Sequence, residues 1–136
     1  MASPNSQTST PLQNVSCNQA IRLLAQAKGV DLTAAGDTLA PVISATKYAV
    51  KDIVITGCTI SVTTAAIGIF TAPASAGTAI LASLLLTAVT GASTDLLDQA
   101  PTSTAIASAL NLYVRVITTF ATASTVDVAV YGYDLD

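Results

Sequence analysis

The sequence predicts an all-β chain: an antiparallel β-sandwich, of jelly-roll or another sandwich topology, with a short N-terminal helix and a flexible arm ahead of it. Three observations carry this reading. From Thr46 onward, apolar residues alternate with polar ones over several short runs separated by turn residues, the period of half-buried strands. Of the 136 residues, 51% are apolar and only 10% charged, against about 25% charged in an ordinary soluble domain, so the chain can bury a core and carries an unusually dry surface. Finally, a chain of this length is one domain, able to bury roughly two-thirds of the surface it would expose unfolded.

The N-terminal residues 1–13 are rich in Ser, Thr, Pro and Gln and read as a flexible arm. Residues 14–44 read as a short helix and a connecting loop. In "NVSCNQAIRLLAQAKG" the apolar Val15, Ile21, Leu24 and Ala25 fall at roughly helical spacing, Ser16 is a cap, and Gly29 stands where a helix would end. The loop "DLTAAGDTLAPVIS" contains Pro41, which excludes a central strand.

Residues 45–136 read as the sandwich. "KYAVKDIVIT" is a strand with Ile53 and Ile55 on one face and Val50 and Val54 on the other, as for a strand covered on both sides. "CTISVTT" alternates with Cys58, Ile60 and Val62 on one side, and "IGIFT" continues the pattern. Ala79 to Thr87 fits either a helix turn or a buried strand, and its strand-rich surroundings favour the strand; Gly91 to Ser103 reads as a surface connection. At the C-terminus, Leu110, Leu112, Val114 and Val116 share one face, as do Val126, Val128 and Val130. A hairpin turning near Ala121 sets these apolar faces together and brings Arg115 across from Asp127 as an outer-face ion pair.

Composition narrows function mainly by exclusion. The net charge is -3, all eight acids are aspartates, and five scattered Lys/Arg cannot neutralise a row of phosphates, so no nucleic-acid partner is expected. There is no histidine, which removes Ser/His/Asp and Cys/His arrangements; no enzyme activity, cofactor or metal is expected. The aspartate pairs Asp95/Asp98 and Asp134/Asp136 lack a ligand-dense loop and read as solvated charge. Cys17 and Cys58 lack zinc-site spacing and read as small buried hydrophobes. No charge lies between Asp52 and Asp95, but the most apolar stretch there, Ala79 to Gly91, falls short of the roughly 20 residues of a membrane span, so no membrane partner is expected. The N-terminus has no apolar signal core, which implies cytoplasmic synthesis. Tyr113, Tyr131 and Tyr133, with Leu84, Leu85 and Leu86, are candidate subunit-contact residues; the tyrosines also suit a sugar platform.

Two stretches carry a family resemblance: "GDTLAPVISATKYAVKDIVITGCTISVTTAAIGIFTAPASAGTAIL" and "LNLYVRVITTFATASTVDVAVYGYDL", together spanning roughly residues 36 to 135. With the "VKDIVIT" strand, "VTTAAIGIFTA" and "STVDVAVYG", they resemble the small capsid decoration (cement) proteins of tailed bacteriophages; Ile67 stands where that pattern carries glycine. The resemblance implies a non-enzymatic β-sandwich virion protein, made in the host cytoplasm. It would sit as a homotrimer on the outer capsid surface and brace the major capsid protein, with residues 1–13 and the helix docking on the capsid or an adjacent subunit. The reading from another class is a head or tail fibre-type module that recognises a cell-surface glycan.

Overall fold

The computed structural model describes residues 21–43, 45–92 and 95–136. Among these there are eight strands and no helix: β1 (Ile21–Asp31), β2 (Asp37–Pro41), β3 (Tyr48–Thr56), β4 (Ala66–Phe70), β5 (Ala79–Leu85), β6 (Leu97–Gln99), β7 (Asn111–Thr118) and β8 (Thr125–Asp134). They form two antiparallel four-stranded sheets, the first in the order β1-β8-β3-β6 and the second in the order β2-β7-β4-β5. Strand one pairs with eight, two with seven, three with six and four with five. One long antiparallel ribbon, doubled over on itself, produces this pattern. The inner faces of both sheets share a single core that includes Leu24, Val30, Tyr48, Ile53, Ile67, Ile69, Leu112 and Val128.

Residues 21–29 form strand rather than helix, which corrects the expected helix over that part; residues 14–20 of it, and the arm of residues 1–13, lie outside the described residues. The cause is visible in the register. A bulge between Leu23 and Ala25 puts Leu24 and Ala25 both against the core, and two consecutive inward residues after Ile21 imitate helical spacing. A second bulge lies between Ala27 and Val30. It contains Gly29 at φ 65, so the glycine that reads as a helix end satisfies the same positive-φ demand within a strand.

Pro41 closes β2, an edge strand, where a missing N–H leaves no ladder bond unmade; the expected loop over residues 31–44 thus contains a strand. In β3 a register shift between Val50 and Asp52 makes Lys51 an extra residue and flips the alternation. Val50 therefore joins Ile53 and Ile55 in the core, leaving Val54 half-buried on the other side. Cys58 to Thr64 keeps its alternating burial without joining either sheet. It connects β3 in the first sheet to β4 in the second, ending in a turn at Thr63 and Thr64, and Cys58 is a free, buried thiol donating to the Ile60 carbonyl at 3.1 Å.

The expected C-terminal hairpin does not form. β7 pairs with β2 and β4, while β8 pairs with β1 and β3. Leu112, Val114, Val116, Val126, Val128 and Val130 are all buried as expected, because two strands facing each other across a core alternate just as hairpin strands do. Leu110, expected on the same inner face, precedes β7 and is exposed.

Two of the four edge strands, β1 and β5, meet other segments along part of their length. The outer edge of β1 bridges to the second sheet through Ala25 and Val42, and β5 is met by Thr102, whose amide donates to the Ile80 carbonyl at 2.7 Å and whose Oγ1 accepts from the Ala82 amide at 3.1 Å. Such contacts blunt these two edges against pairing with a neighbouring chain.

Candidate functional site

Three surfaces stand out, two set by strand alternation and one formed by strand ends and their connections. On the outer face of the first sheet, cross-strand neighbours form the rows Ile21–Tyr133–Ala49, Leu23–Tyr131–Asp52 and Gln26–Ala129–Val54. A sheet with one face on the core ordinarily turns polar residues outward, yet the central β8 positions here are Tyr133, Tyr131 and Ala129, and of their flanking partners only Gln26 and Asp52 are polar.

On the outer face of the second sheet, Leu39, Tyr113 and Phe70 form one row and Asp37, Arg115 and Gly68 the next. Arg115 pairs with Asp37 at 3.2 Å, and the second Asp37 oxygen accepts from the Ala74 amide at 2.9 Å. This contact ties the β4–β5 loop, whose Ala74 and Ser75 hold φ of 58 and 62, to the edge of the sheet.

The third surface is the end at which β1 starts and β8 finishes, called the lower end below. Hydrogen bonds from Ile43 to Leu24, Val42 to Leu110, Tyr48 to Ala107 and Leu135 to Lys47 gather the segments around it. An uncharged cleft of about 320 Å³ opens there, lined by Thr71, Thr78, Ile80 and residues 105–109.

The expected Arg115–Asp127 ion pair is overturned: the two residues lie in different sheets. Arg115 goes to Asp37, and Asp127 accepts from the Gly29 amide at 2.8 Å in the β1 bulge. The candidate contact residues do not form one surface either. Tyr131 and Tyr133 share the outer face of the first sheet, and Tyr113 is on the opposite side of the molecule. Leu85 is exposed, Leu84 is half-buried against the core, and Leu86 is fully buried within it.

Several aspartates are held by hydrogen bonds or ion pairs. Asp134 is largely buried and pairs with Arg22 at 3.1 Å. The Asp136 carboxylate accepts from the Thr46 hydroxyl, from the Thr46 amide at 2.6 Å and from the Lys47 amide at 3.0 Å; led by the Thr46 hydroxyl, these bonds hold its pKa below the ordinary value. For Asp95, burial pushes the pKa up, but the Thr90 hydroxyl and the amides of Thr90, Gly91 and Ala92 together outweigh it and leave it lowered. Asp31 is lowered by the Thr33 hydroxyl and amide.

Among the described residues no group of three or more His, Cys, Asp or Glu is placed to hold a metal, and no helix is long and apolar enough to cross a membrane. The three surfaces present apolar faces, tyrosine side chains and an uncharged cleft. Sequence reasoning missed Asp37 as the Arg115 partner and the apolar loop "AIASAL". The missed signal for the loop was Ile106 and Leu110 in a connection that carries no charge. Comparison with family models, with curated proteins and with solved structures finds no match to this chain.

Proposed function

We propose that this chain is a non-enzymatic structural virion protein, a homotrimeric decoration protein that stabilises a tailed-phage capsid from outside by bridging copies of the major capsid protein. The strand order carries the reading. The orders β1-β8-β3-β6 and β2-β7-β4-β5 are those of a jelly roll, the eight-stranded double Greek key common to capsid and lectin domains. The apolar outer face around Tyr131 and Tyr133, together with the sequence resemblance, favours the capsid side of that pair. Synthesis in the host cytoplasm and assembly without nucleic acid or membrane belong to the same reading.

Geometry constrains the trimer. The two outer faces point in opposite directions, so contact between the first-sheet face of one subunit and the second-sheet face of the next would stack subunits into an open filament. A closed ring instead joins one outer face to an edge or end of its neighbour, and the first-sheet face is the more apolar choice. Light scattering is expected to give three times the 13.7 kDa chain mass, and Tyr131→Asp is expected to shift that mass toward the monomer. The deciding experiment is co-sedimentation with heads of the parent phage stripped of this protein: saturable binding supports the proposal, and none overturns it.

One observation favours the glycan-binding reading. Tyr131 and Tyr133 lie two residues apart on the same side of β8, an arrangement on which a sugar ring could stack. Saccharide binding that disappears in Tyr131→Ala, with no binding to heads, would establish it instead.

A further inference from the structure

Phe70 ends β4 on the outer face of the second sheet, in one row with Tyr113 and Leu39. It is nevertheless only 7% exposed and stands outside the shared core. Its ring leans back over Gly68, where a Cβ would come within 2.8 Å of it. The chain beyond Phe70 stays on this face. The Ala74 amide donates to Asp37 at 2.9 Å, although Asp37 is two strands away, beyond β7, and two residues back along the sheet from the row of Phe70. That offset is about 12 Å, from strand spacings near 4.8 Å and a rise near 3.3 Å per residue, and four extended residues span about 13 Å. Residues 71–78 therefore fold back across the outer side of β7.

We infer that residues 71–78 are a strap closed over Phe70 and latched by Asp37, and that it lifts while both sheets stay folded, uncovering the row Leu39–Tyr113–Phe70. The neck of the loop is held by the Thr71 amide on the Thr78 carbonyl at 3.1 Å and by the Thr78 amide on the Thr71 hydroxyl at 2.8 Å. Its tip is held by less. Residues 73–78 are exposed, and among the described residues the bond from Ala74 to Asp37 is the hydrogen bond that joins the tip to the rest of the fold. Asp37 is itself fixed by Arg115 at 3.2 Å, so one carboxylate serves both partners. The turn adds strain. Ala74 and Ser75 hold φ of 58 and 62, and the Ala76 amide closes on the Pro73 carbonyl at 3.1 Å; two left-handed positions in succession favour Asn and Gly over Ala and Ser. Strained backbone persists where its surroundings over-determine it, and one bond at an exposed tip does not. A segment with so few buried contacts opens locally, below the free energy of global unfolding. The inference holds whether or not the protein decorates a capsid.

The test is native-state amide exchange on the full chain, followed residue by residue by NMR in low urea. The Ala74 and Ala76 amides are expected to exchange through a urea-independent local opening, at least tenfold faster, after correction for intrinsic rate, than Val114 in the interior strand β7. Asp37→Ala is expected to speed Ala74 and Ala76 about tenfold more than it speeds Val114, and Ala74→Asn with Ser75→Gly to slow Ala76 several-fold. Uncovering is read through Phe70→Trp, in a chain that otherwise has no tryptophan. Acrylamide quenching should rise several-fold when Asp37→Ala is added, with far-ultraviolet circular dichroism unchanged. If Phe70→Trp does not fold, binding of an apolar-surface dye to Asp37→Ala, expected to rise several-fold, replaces it. Exchange of Ala74 and Ala76 with the rate and urea dependence of Val114 would overturn the inference, because the loop would then open only with the whole sheet. So would local opening of the tip with no gain in quenching or dye binding, which would show that something other than the strap covers Phe70.

Discussion

Tyr48 is a tyrosine with no exposed surface, whose hydroxyl donates to the Ala109 carbonyl at 2.7 Å. Burial disfavours the phenolate and pushes its pKa from 10.0 up to about 12. The folded state thus holds the proton more tightly than the unfolded chain. Its contribution to stability is complete below pH 10.0 and is lost as pH rises to about 12. Denaturant titrations across that window should show stability falling, with a smaller fall in Tyr48→Phe. At pH 7 the same variant should lose about 1 kcal/mol, because the Ala109 carbonyl is left without its donor. Glycines give a second residue-scale contrast. A Cβ on Gly68 would lie 2.8 Å from both the Ala82 carbonyl oxygen and the Phe70 ring, whereas one on Gly36 would meet nothing within 4 Å. Gly68→Ala is expected to cost about 1–3 kcal/mol, the usual range for overpacking, and Gly36→Ala within about 0.5 kcal/mol of zero; urea unfolding midpoints compare them directly.

At the scale of elements, the inward faces of β3, β7 and β8 were largely legible and their partners were not. Alternation records only which side of a strand meets apolar surroundings, and a strand facing β7 across the core satisfies it as well as one beside β7 in a sheet. The β1 bulges show the complementary limit, since one inserted residue turns a period of two into an apparent helical spacing. Mutant cycles can read the partner choice. Arg115 and Asp37, with side chains 28% and 20% exposed, should couple by about 0.2–1 kcal/mol, whereas Arg115 and Asp127 should show no coupling beyond error. The C-terminal tie gives a pH test. The Asp136 pKa lies below 3.8 in the folded chain, so the unfolded chain takes up its proton first as the solution is acidified. The tie stabilises above that value and is lost as pH falls through the lower folded value. Amide exchange at Thr46 and Lys47, corrected for intrinsic rate, should lose protection on acidification, and Asp136→Asn should remove the pH dependence at those amides.

At the scale of the molecule, the fold depends on its last strand. β8 lies between β1 and β3, so the two ends of the described chain are joined inside one sheet, and Arg22 meets Asp134 across 112 residues of sequence. Loop closure of that span precedes any reward from pairing, so folding is expected in the millisecond-to-second range typical of nonlocal β topologies. Truncation after Ser124 would strip both neighbours of β8 and leave Leu24 and Ile53 without cover; circular dichroism and solubility of the truncated chain should report an unfolded product. Among the three surfaces, the sequence exposed the tyrosines as candidates but not their division between opposite faces, which follows from β7 and β8 belonging to different sheets. What the sequence determined by itself was local and periodic: an all-β chain, the inward residues of most strands, the β5 strand and the absence of histidine chemistry. Each follows from side-chain type and a spacing of two. Strand order, bulge positions, the Arg115 partner and the lower-end rim were decided only by tertiary structure. They depend on which of several equally apolar surfaces meet when a long chain closes on itself, and that choice is made by the packing of the whole core.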